Sequence, residues 1–141
     1  MDKKFEFLEH TADAKFRAYG KTLEIVFINS AIAMYSIITD TGMIKPNIKK
    51  KFKLKAKKKE SLLYDFLDEF IYFLDVDGFL LSKIEKLTLK SRGKDFLLEC
   101  VALGDNYQNY EVTGNIKAMT YNDMFIKKEK DNFVIQAVVD L

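Results

Sequence analysis

The segment SLLYDFLDEFIYFLDVDG, residues 61–78, decides the fold because its apolar side chains recur every three or four residues. This period is typical of a helix that buries one side. Acidic side chains at Asp65, Asp68 and Glu69 fall on the other side, and residues 75–78 mark the predicted end. The predicted buried positions are Leu62, Leu63, Phe66, Leu67, Phe70, Ile71 and Leu74. We expect this helix to lie on a sheet.

Another amphipathic helix is predicted upstream, with Thr22 as its N-cap and Gly42 as its stop. Its predicted buried side carries Leu23, Val26, Phe27, Ser30, Ala31, Met34, Tyr35 and Ile38. This period again indicates a helix that packs on a sheet.

Most of the remaining sequence alternates apolar and polar residues or forms short apolar runs bounded by Gly, Asn or Asp, which predicts strands. The predicted strands are residues 5–8, 14–19, 50–56, 84–90, 96–103, 115–121, 124–127 and 133–139. Because the second half of the chain is nearly all strand, helices and strands do not alternate. We therefore predict one α+β domain over residues 1–141, with mostly antiparallel sheet of about eight strands packed against two amphipathic helices.

Lysine dominates the basic residues of this chain. Of 23 basic residues only Arg17 and Arg92 are arginines, and eight lysines fall within residues 49–59. Lysine attracts phosphate but lacks the bidentate fork with which arginine reads bases. This composition argues against a sequence-reading nucleic-acid module and leaves a general affinity for nucleic acid open.

Within this stretch, Lys51, Lys53 and Lys55 alternate with apolar residues, which predicts a strand that is buried on one side only. One interpretation is that these lysines contact RNA phosphates. The other is that they are solvated charges that protect an edge strand from aggregation.

The single cysteine, Cys100, lies in an apolar run, so the chain has no internal disulfide and a buried thiol is predicted. No apolar stretch approaches the ~18 residues of a membrane span. We therefore expect a cytoplasmic protein without a membrane partner.

The candidate chemistry lies near the two ends of the chain. His10 and Asp13 fall between the first two predicted strands, and a His-x-x-Asp pair held there can bind a metal ion. Asp140 follows the last predicted strand, where its carboxylate and the main-chain oxygens of Leu141 would present several oxygens together. Such oxygens suit Ca²⁺, Mg²⁺ or Mn²⁺.

This metal site requires the first and last strands to lie close together in the sheet. If they do not, Asp13 and Asp140 are unrelated surface acids, and the His10 segment only caps a turn.

Lys117 is predicted inside a strand, on the same side as Met119 and Tyr121. One interpretation is a lysine on a solvated face. The other is a cation that holds phosphate or an acidic partner beside the carboxylates.

No nucleophile and base are paired in the sequence, because Cys100 is predicted to be buried and His10 is the single histidine. Zinc is disfavoured, since one histidine and one distant cysteine do not make its usual ligand set.

The motifs as a set resemble the archease family. The residues that carry this resemblance are LEHTADA at 8–14, AYG at 18–20, LLYDFL at 62–67, DGF at 77–79, IKAMTY at 116–121 and VVDL at 138–141. They occur in the family's order and extend from one end of the chain to the other.

Archeases assist the RNA ligase of tRNA splicing, which uses GTP and manganese to join a 3′-phosphate or 2′,3′-cyclic-phosphate end to a 5′-hydroxyl. The resemblance implies an activator that promotes guanylylation of the ligase's active-site histidine and permits multiple turnovers. The ligase would be its partner, with RNA contacted indirectly. The protein would be a cofactor for tRNA processing, and the bond-making chemistry would remain in the ligase.

Matched residue by residue, Asp13 and Asp140 correspond to the family's metal-binding aspartates, and the Leu141 main chain to its third ligand. Lys117 corresponds to a lysine associated with function, and His10 would support the site. The implied cofactor is a divalent metal ion, calcium in a crystal, with magnesium and manganese as alternatives.

Two positions depart from the family pattern: Asn122, where many relatives have histidine, and Asp105, where glutamate is commoner. Two other functions remain open. One is an RNA-binding module or chaperone that uses residues 49–59, and the other is a metal-dependent hydrolase with His10 as base.

Overall fold

Both predicted helices form in the computed structural model, which describes residues 3–9 and 13–141. Helix α1 spans Leu23–Tyr35, and helix α2 spans Lys59–Asp77. Thr22 is the N-cap of α1, as predicted, since its Oγ1 accepts a hydrogen bond from the Ile25 N–H at 3.1 Å. Gly78 ends α2 in the left-handed conformation, with φ of 64°.

The prediction that Gly42 stops α1 is wrong. The helix ends at Tyr35, and Gly42 lies in a separate 3-10 turn, Thr41–Met43. Three consecutive β-branched residues follow shortly after the helix, at positions 37–39, and such residues are poor helix formers. At the end of the helix the chain forms hydrogen bonds of the 3-10 type, such as that from the Ile38 N–H to the Tyr35 carbonyl oxygen.

Seven strands form in the described part of the chain, where about eight were predicted. They are β1 (Phe5–Leu8), β2 (Asp13–Gly20), β3 (Ile48–Ala56), β4 (Phe79–Arg92), β5 (Asp95–Asn106), β6 (Ala118–Glu129) and β7 (Asn132–Asp140). Residues 118–121 of the predicted strand 115–121 and all of the predicted strand 124–127 belong to the single strand β6, and residues 115–117 precede it. Its pairing with β7 shifts register between Thr120 and Phe125, which separates two apolar runs without ending the strand.

The strands form two antiparallel sheets, in the orders β1-β2-β7-β6 and β3-β5-β4. Helix α1 contacts β2 and β7 of the first sheet and β4 of the second, and α2 contacts β6 as well as β3, β4 and β5. The helices therefore lie between the sheets, which confirms the predicted α+β class. All seven positions predicted for the buried side of α2 contribute to the core, with Leu74 only partly buried.

Strand β3 is an edge strand, as its alternating sequence indicated. Lys51, Lys53 and Lys55 are exposed, whereas Phe52 packs against the rings of Phe66, Phe70 and Phe73 on α2. These ring contacts bury the inner side of β3.

Cys100 is buried as predicted, and burial raises the pKa of its thiol to about 12. Among the described residues, neither helix has the length and continuous apolar character needed to cross a bilayer.

A buried hydroxyl joins the two helices to β4. The Tyr35 hydroxyl donates to the Phe79 carbonyl oxygen at 2.9 Å and lies 3.2 Å from the Phe70 carbonyl oxygen. Burial raises the pKa of this tyrosine, so the hydroxyl remains a donor at every physiological pH.

We expect Tyr35→Phe to lower the free energy of unfolding by about 1–2 kcal/mol, because the buried Phe79 carbonyl group loses its hydroxyl donor. Urea denaturation measures this loss. The matched control is Tyr72→Phe, which removes an exposed hydroxyl and should change stability by less than about 0.5 kcal/mol. Equal effects of the two variants would contradict the structural role of the Tyr35 hydroxyl.

Asp105, one of the two departures from the family pattern, is a buried carboxylate at the end of β5. It accepts hydrogen bonds from the Tyr110 hydroxyl at 2.7 Å, the Asn106 N–H at 2.8 Å and the Asn47 side-chain amide at 3.2 Å. These hydrogen bonds hold the pKa of Asp105 below its ordinary value, and the bond from Tyr110 has the largest effect. The aspartate thus fastens the loops around Asn47 and Tyr110 to the sheet.

We expect Asp105→Asn to destabilise the protein at neutral pH. The folded-state pKa is lowered, so the carboxylate's contribution is present above the ordinary value of 3.8 and disappears as the pH falls through the folded pKa. The stability difference between wild type and Asp105→Asn should therefore shrink in acid, as measured by urea denaturation across pH. Exposed Asp131→Asn serves as control, and a difference that persists at low pH would contradict this assignment.

Candidate metal centre

The pairing of β2 with β7 brings the two predicted aspartates together. Asp13 is the first residue of β2, and its partner in the ladder is Asp140, the last residue of β7. Directly paired residues in an antiparallel ladder have Cα atoms about 4.5–5.5 Å apart, with side chains on the same face. Both aspartates are partly buried. Two carboxylates thus meet at one end of the sheet.

The structure differs from the predicted aspartate site in two details. Asp13 lies within a strand, not in the connection before it, and the partner of the last strand is β2. Strand β1 pairs with β2 on its other side and occupies the sheet edge.

The backbone of Lys117 lies beside this aspartate pair. Its N–H donates to the Asp140 carbonyl oxygen at 2.8 Å, and the next residue, Ala118, is the ladder partner of Asp140. The prediction that Lys117 lies inside a strand is wrong, because β6 begins at Ala118.

The predicted sharing of one side with Met119 is also wrong, whereas Tyr121 is exposed like Lys117. Lys117 is exposed, whereas Met119 is buried with an exposed fraction of 4%. Regular alternation does not extend across the start of β6, since Ile116 and Met119 are both buried although three positions separate them.

Two predicted site residues remain, Leu141 and His10. Leu141 follows Asp140 and is exposed. His10 lies outside the described residues.

The donor set at this point suits a hard divalent cation. Within residues 3–9 and 13–141, no three His, Cys, Asp or Glu side chains meet in a group that could hold a metal. Asp13 and Asp140 supply two carboxylates, and Leu141 would contribute main-chain oxygen. Ca²⁺, Mg²⁺ and Mn²⁺ accept carboxylate, carbonyl and water ligands, whereas a Zn²⁺ site would need nitrogen or sulfur donors that are absent from this pair.

A tyrosine on α2, Tyr64, lies within electrostatic reach of Asp140 and was missed by sequence reasoning. The Tyr64 hydroxyl donates to the Met119 carbonyl oxygen at 3.3 Å, and its ring stacks on Tyr121 with centroids 4.2 Å apart. Burial, then the charges of Asp68, Asp65 and Asp140 among others, raise the pKa of Tyr64. No periodicity links residue 64 with residue 140, so this neighbourhood had no sequence signal.

The acidic side of α2 carries carboxylates that act on one another. Asp65 and Glu69 both have raised pKa values, caused first by partial burial and then by the neighbouring Asp68. The positions were visible in the sequence as the polar side of the helix.

The irregular part of β6 is fixed by side chains on the same face as Asp13. Gln136 is buried, donates to the Asp123 carbonyl oxygen at 2.7 Å and accepts from Arg17 Nε at 2.9 Å. Lys15 Nζ lies 3.2 Å from the Asp123 carboxylate, and Asp123 has a positive φ of 56°. These contacts hold residues 121–124 in place.

Asn122, the other departure from the family pattern, lies in this irregular segment. It is exposed, and its N–H donates to Thr120 Oγ1 at 3.1 Å.

Comparison with known proteins identifies the family. A model of the Archease protein family matches residues 5–141. A protein archease of Methanosarcina acetivorans is 38% identical over 141 residues, which cover 99% of this chain and 97% of the relative. Another, from Methanothermobacter thermautotrophicus, is 34% identical over 140 residues and is covered to 99% in both chains.

Two solved structures are also similar to this chain in fold. The solution structure of Methanobacterium thermoautotrophicum protein 1598 is similar at a TM-score of 0.85 and 31% identity, covering 98% of this chain and 99% of that one. A crystal structure from Thermotoga maritima, described as an archease and possible chaperone, shares the fold at a TM-score of 0.59 and 18% identity, covering 95% and 94%. The whole-chain family match and the agreement in fold together show that this chain belongs to the archease family.

Proposed function

We propose that this protein activates the RNA ligase of tRNA splicing by promoting guanylylation of the ligase's active-site histidine and repeated turnover. The observation that carries the proposal is the direct ladder pairing of Asp13 with Asp140, next to the backbone of Lys117. Membership of the archease family supports this choice of partner and reaction. The bond-making chemistry stays in the ligase.

In this proposal Asp13 and Asp140 hold a divalent cation together with the Leu141 main chain. Like charges placed directly opposite on neighbouring strands repel, and a cation between them would relieve that repulsion. When bound, the cation would supply positive charge for an oxygen-rich group of the partner or its nucleotide. His10, from the same sequence motif, would support the site.

Lys117 would act on the partner side of this centre. Its side chain is exposed, and it makes no ion pair with any residue in the described ranges. A lysine there can pair with a phosphate or a carboxylate presented from outside. Nearby, Tyr121 is 54% exposed and Leu141 is 43% exposed, and exposed aromatic and aliphatic groups favour protein contact.

The metal site can be tested on the protein alone. We expect isothermal titration with Ca²⁺ and with Mn²⁺ to show a single site, which Asp13→Asn or Asp140→Asn weakens by about tenfold or more, because affinity depends on the number of charged ligands. The control is the exposed Asp131→Asn in the β6–β7 turn. Unchanged affinity in both site variants would remove Asp13 and Asp140 from the metal site.

The function can be tested with the ligase, GTP and Mn²⁺. We expect wild-type protein to increase ligase guanylylation and the number of ligation turnovers, and Asp13→Asn or Asp140→Asn to lose at least about tenfold of that stimulation. Circular dichroism would verify that both variants are folded, and Asp131→Asn should stimulate normally. Full stimulation by both folded site variants would contradict the proposed role.

A further inference from the structure

The outer face of the β3-β5-β4 sheet carries two rows of basic side chains, one from each edge strand. Residues directly across from one another show the arrangement: Lys51, Val101 and Lys86 form one line across the sheet. The first row is Lys49, Lys51, Lys53 and Lys55 on β3, and the second is Lys83, Lys86, Lys90 and Arg92 on β4. We call this surface the lysine face.

The two rows run side by side. Alternate residues along a strand are about 6.6–6.8 Å apart, and two strand spacings separate the rows by about 9.5 Å. Between them, β5 presents the half-buried aliphatic side chains of Leu97, Val101 and Leu103, together with the exposed carboxylate of Glu99. A groove on this face is lined by Lys53, Lys55, Lys90 and Arg92, among others. The surface is an open strip with cations along both sides.

Few of these charges are neutralised. Lys53 lies 3.3 Å from Glu99, and Lys49 lies 4.0 Å from Glu85. The other cations of the lysine face make no ion pair with residues 3–9 or 13–141; they are Lys51, Lys55, Lys83, Lys86, Lys90 and Arg92. Within the described residues, the face therefore has an excess of positive charge, with Glu99 and Glu85 as acidic partners of two of its eight cations.

We infer that the lysine face binds the phosphate backbone of single-stranded RNA, without reading its sequence. Lysines neutralise phosphates as point charges, and two parallel rows of them suit a chain of repeated negative charges. The choice of RNA as the source of the phosphates rests on the proposed function, in which the partner's substrate is RNA. The binding itself is predicted from the charge arrangement and needs no ligase.

The apolar groups on this face argue against an anionic membrane as the occupant. A membrane-binding surface inserts exposed aromatic or large aliphatic side chains between lipids. None of the exposed large hydrophobic residues in the described chain lies on β3, β4 or β5. The outward positions of these strands also lack an aromatic ring on which bases could stack, which predicts binding that is indifferent to base sequence.

The lysine face is separate from the aspartate pair. Asp13 and Asp140 belong to the other sheet, and both helices lie between the two sheets. RNA could therefore be held on one side of the molecule while a protein partner contacts the other.

The experiment compares three triple variants in fluorescence anisotropy with a short fluorescein-labelled RNA of mixed sequence. Lys51→Gln/Lys53→Gln/Lys55→Gln removes charge from β3, and Lys83→Gln/Lys86→Gln/Lys90→Gln removes it from β4. The control, Lys4→Gln/Lys21→Gln/Lys45→Gln, removes the same charge from exposed lysines elsewhere. Thermal unfolding followed by circular dichroism verifies that all three are folded.

We expect both face variants to weaken RNA binding at low salt by about tenfold or more, and to reduce the slope of log affinity against log salt by about 2, because three phosphate contacts are lost. The control should bind as wild type does, and a second RNA of different sequence should give the same affinities. Equal losses in all three variants would overturn the proposal, since general charge would then explain them.

A loss confined to the β3 variant would also overturn it, because the lysine-rich stretch would then act without β4. Binding to phosphatidylserine vesicles in the absence of RNA binding would assign the face to membranes instead. Stimulation of the ligase plays no part in these measurements, so failure here and failure of the proposed function are distinguishable.

Discussion

The pairing of β2 with β7 joins the two ends of the chain, and both the first sheet and the candidate metal centre depend on it. The ladder runs over eight residue pairs from Asp13↔Asp140 to Gly20↔Phe133. Bringing such distant segments together costs loop-closure entropy, which the buried side chains of β7 offset. Six consecutive residues of β7, from Val134 to Val139, are buried, so the strand is covered on both faces. A slip of one residue would turn every side chain of this ladder to the opposite face.

The register of the β2–β7 ladder determines both which side chains are buried in the core and which side chains form the candidate metal centre. Phe16 and Ala18 point from β2 into the core, which leaves Asp13, Lys15 and Arg17 on the other face by simple alternation. The same alternation places Asp140 with Gln136, which holds the irregular part of β6. The core contacts that select the register therefore also select which carboxylates meet.

The two sheets present different chemistry on opposite sides of the helices. The first sheet ends in a pair of carboxylates near the acidic side of α2, and the second carries the lysine face. Each helix packs on both sheets, and α2 leaves Tyr72 and Val76 exposed. The proposed role as an accessory to another protein's chemistry would use these two surfaces.

Sequence alone determined the helices, most strands, the α+β class, the burial of Cys100 and the one-sided character of β3, because periodicity reports which side chains meet water. It also singled out Asp13 and Asp140 and suggested their family. It misplaced the end of α1 and the position of Lys117, since those depend on local hydrogen bonds that periodicity does not report. Only the tertiary structure decided that Asp13 faces Asp140, that Tyr64 lies within electrostatic reach of Asp140, and that a second basic row on β4 completes the lysine face. The physical reason is that strand order and register arise from burial of the whole core, and no local pattern in the chain encodes them.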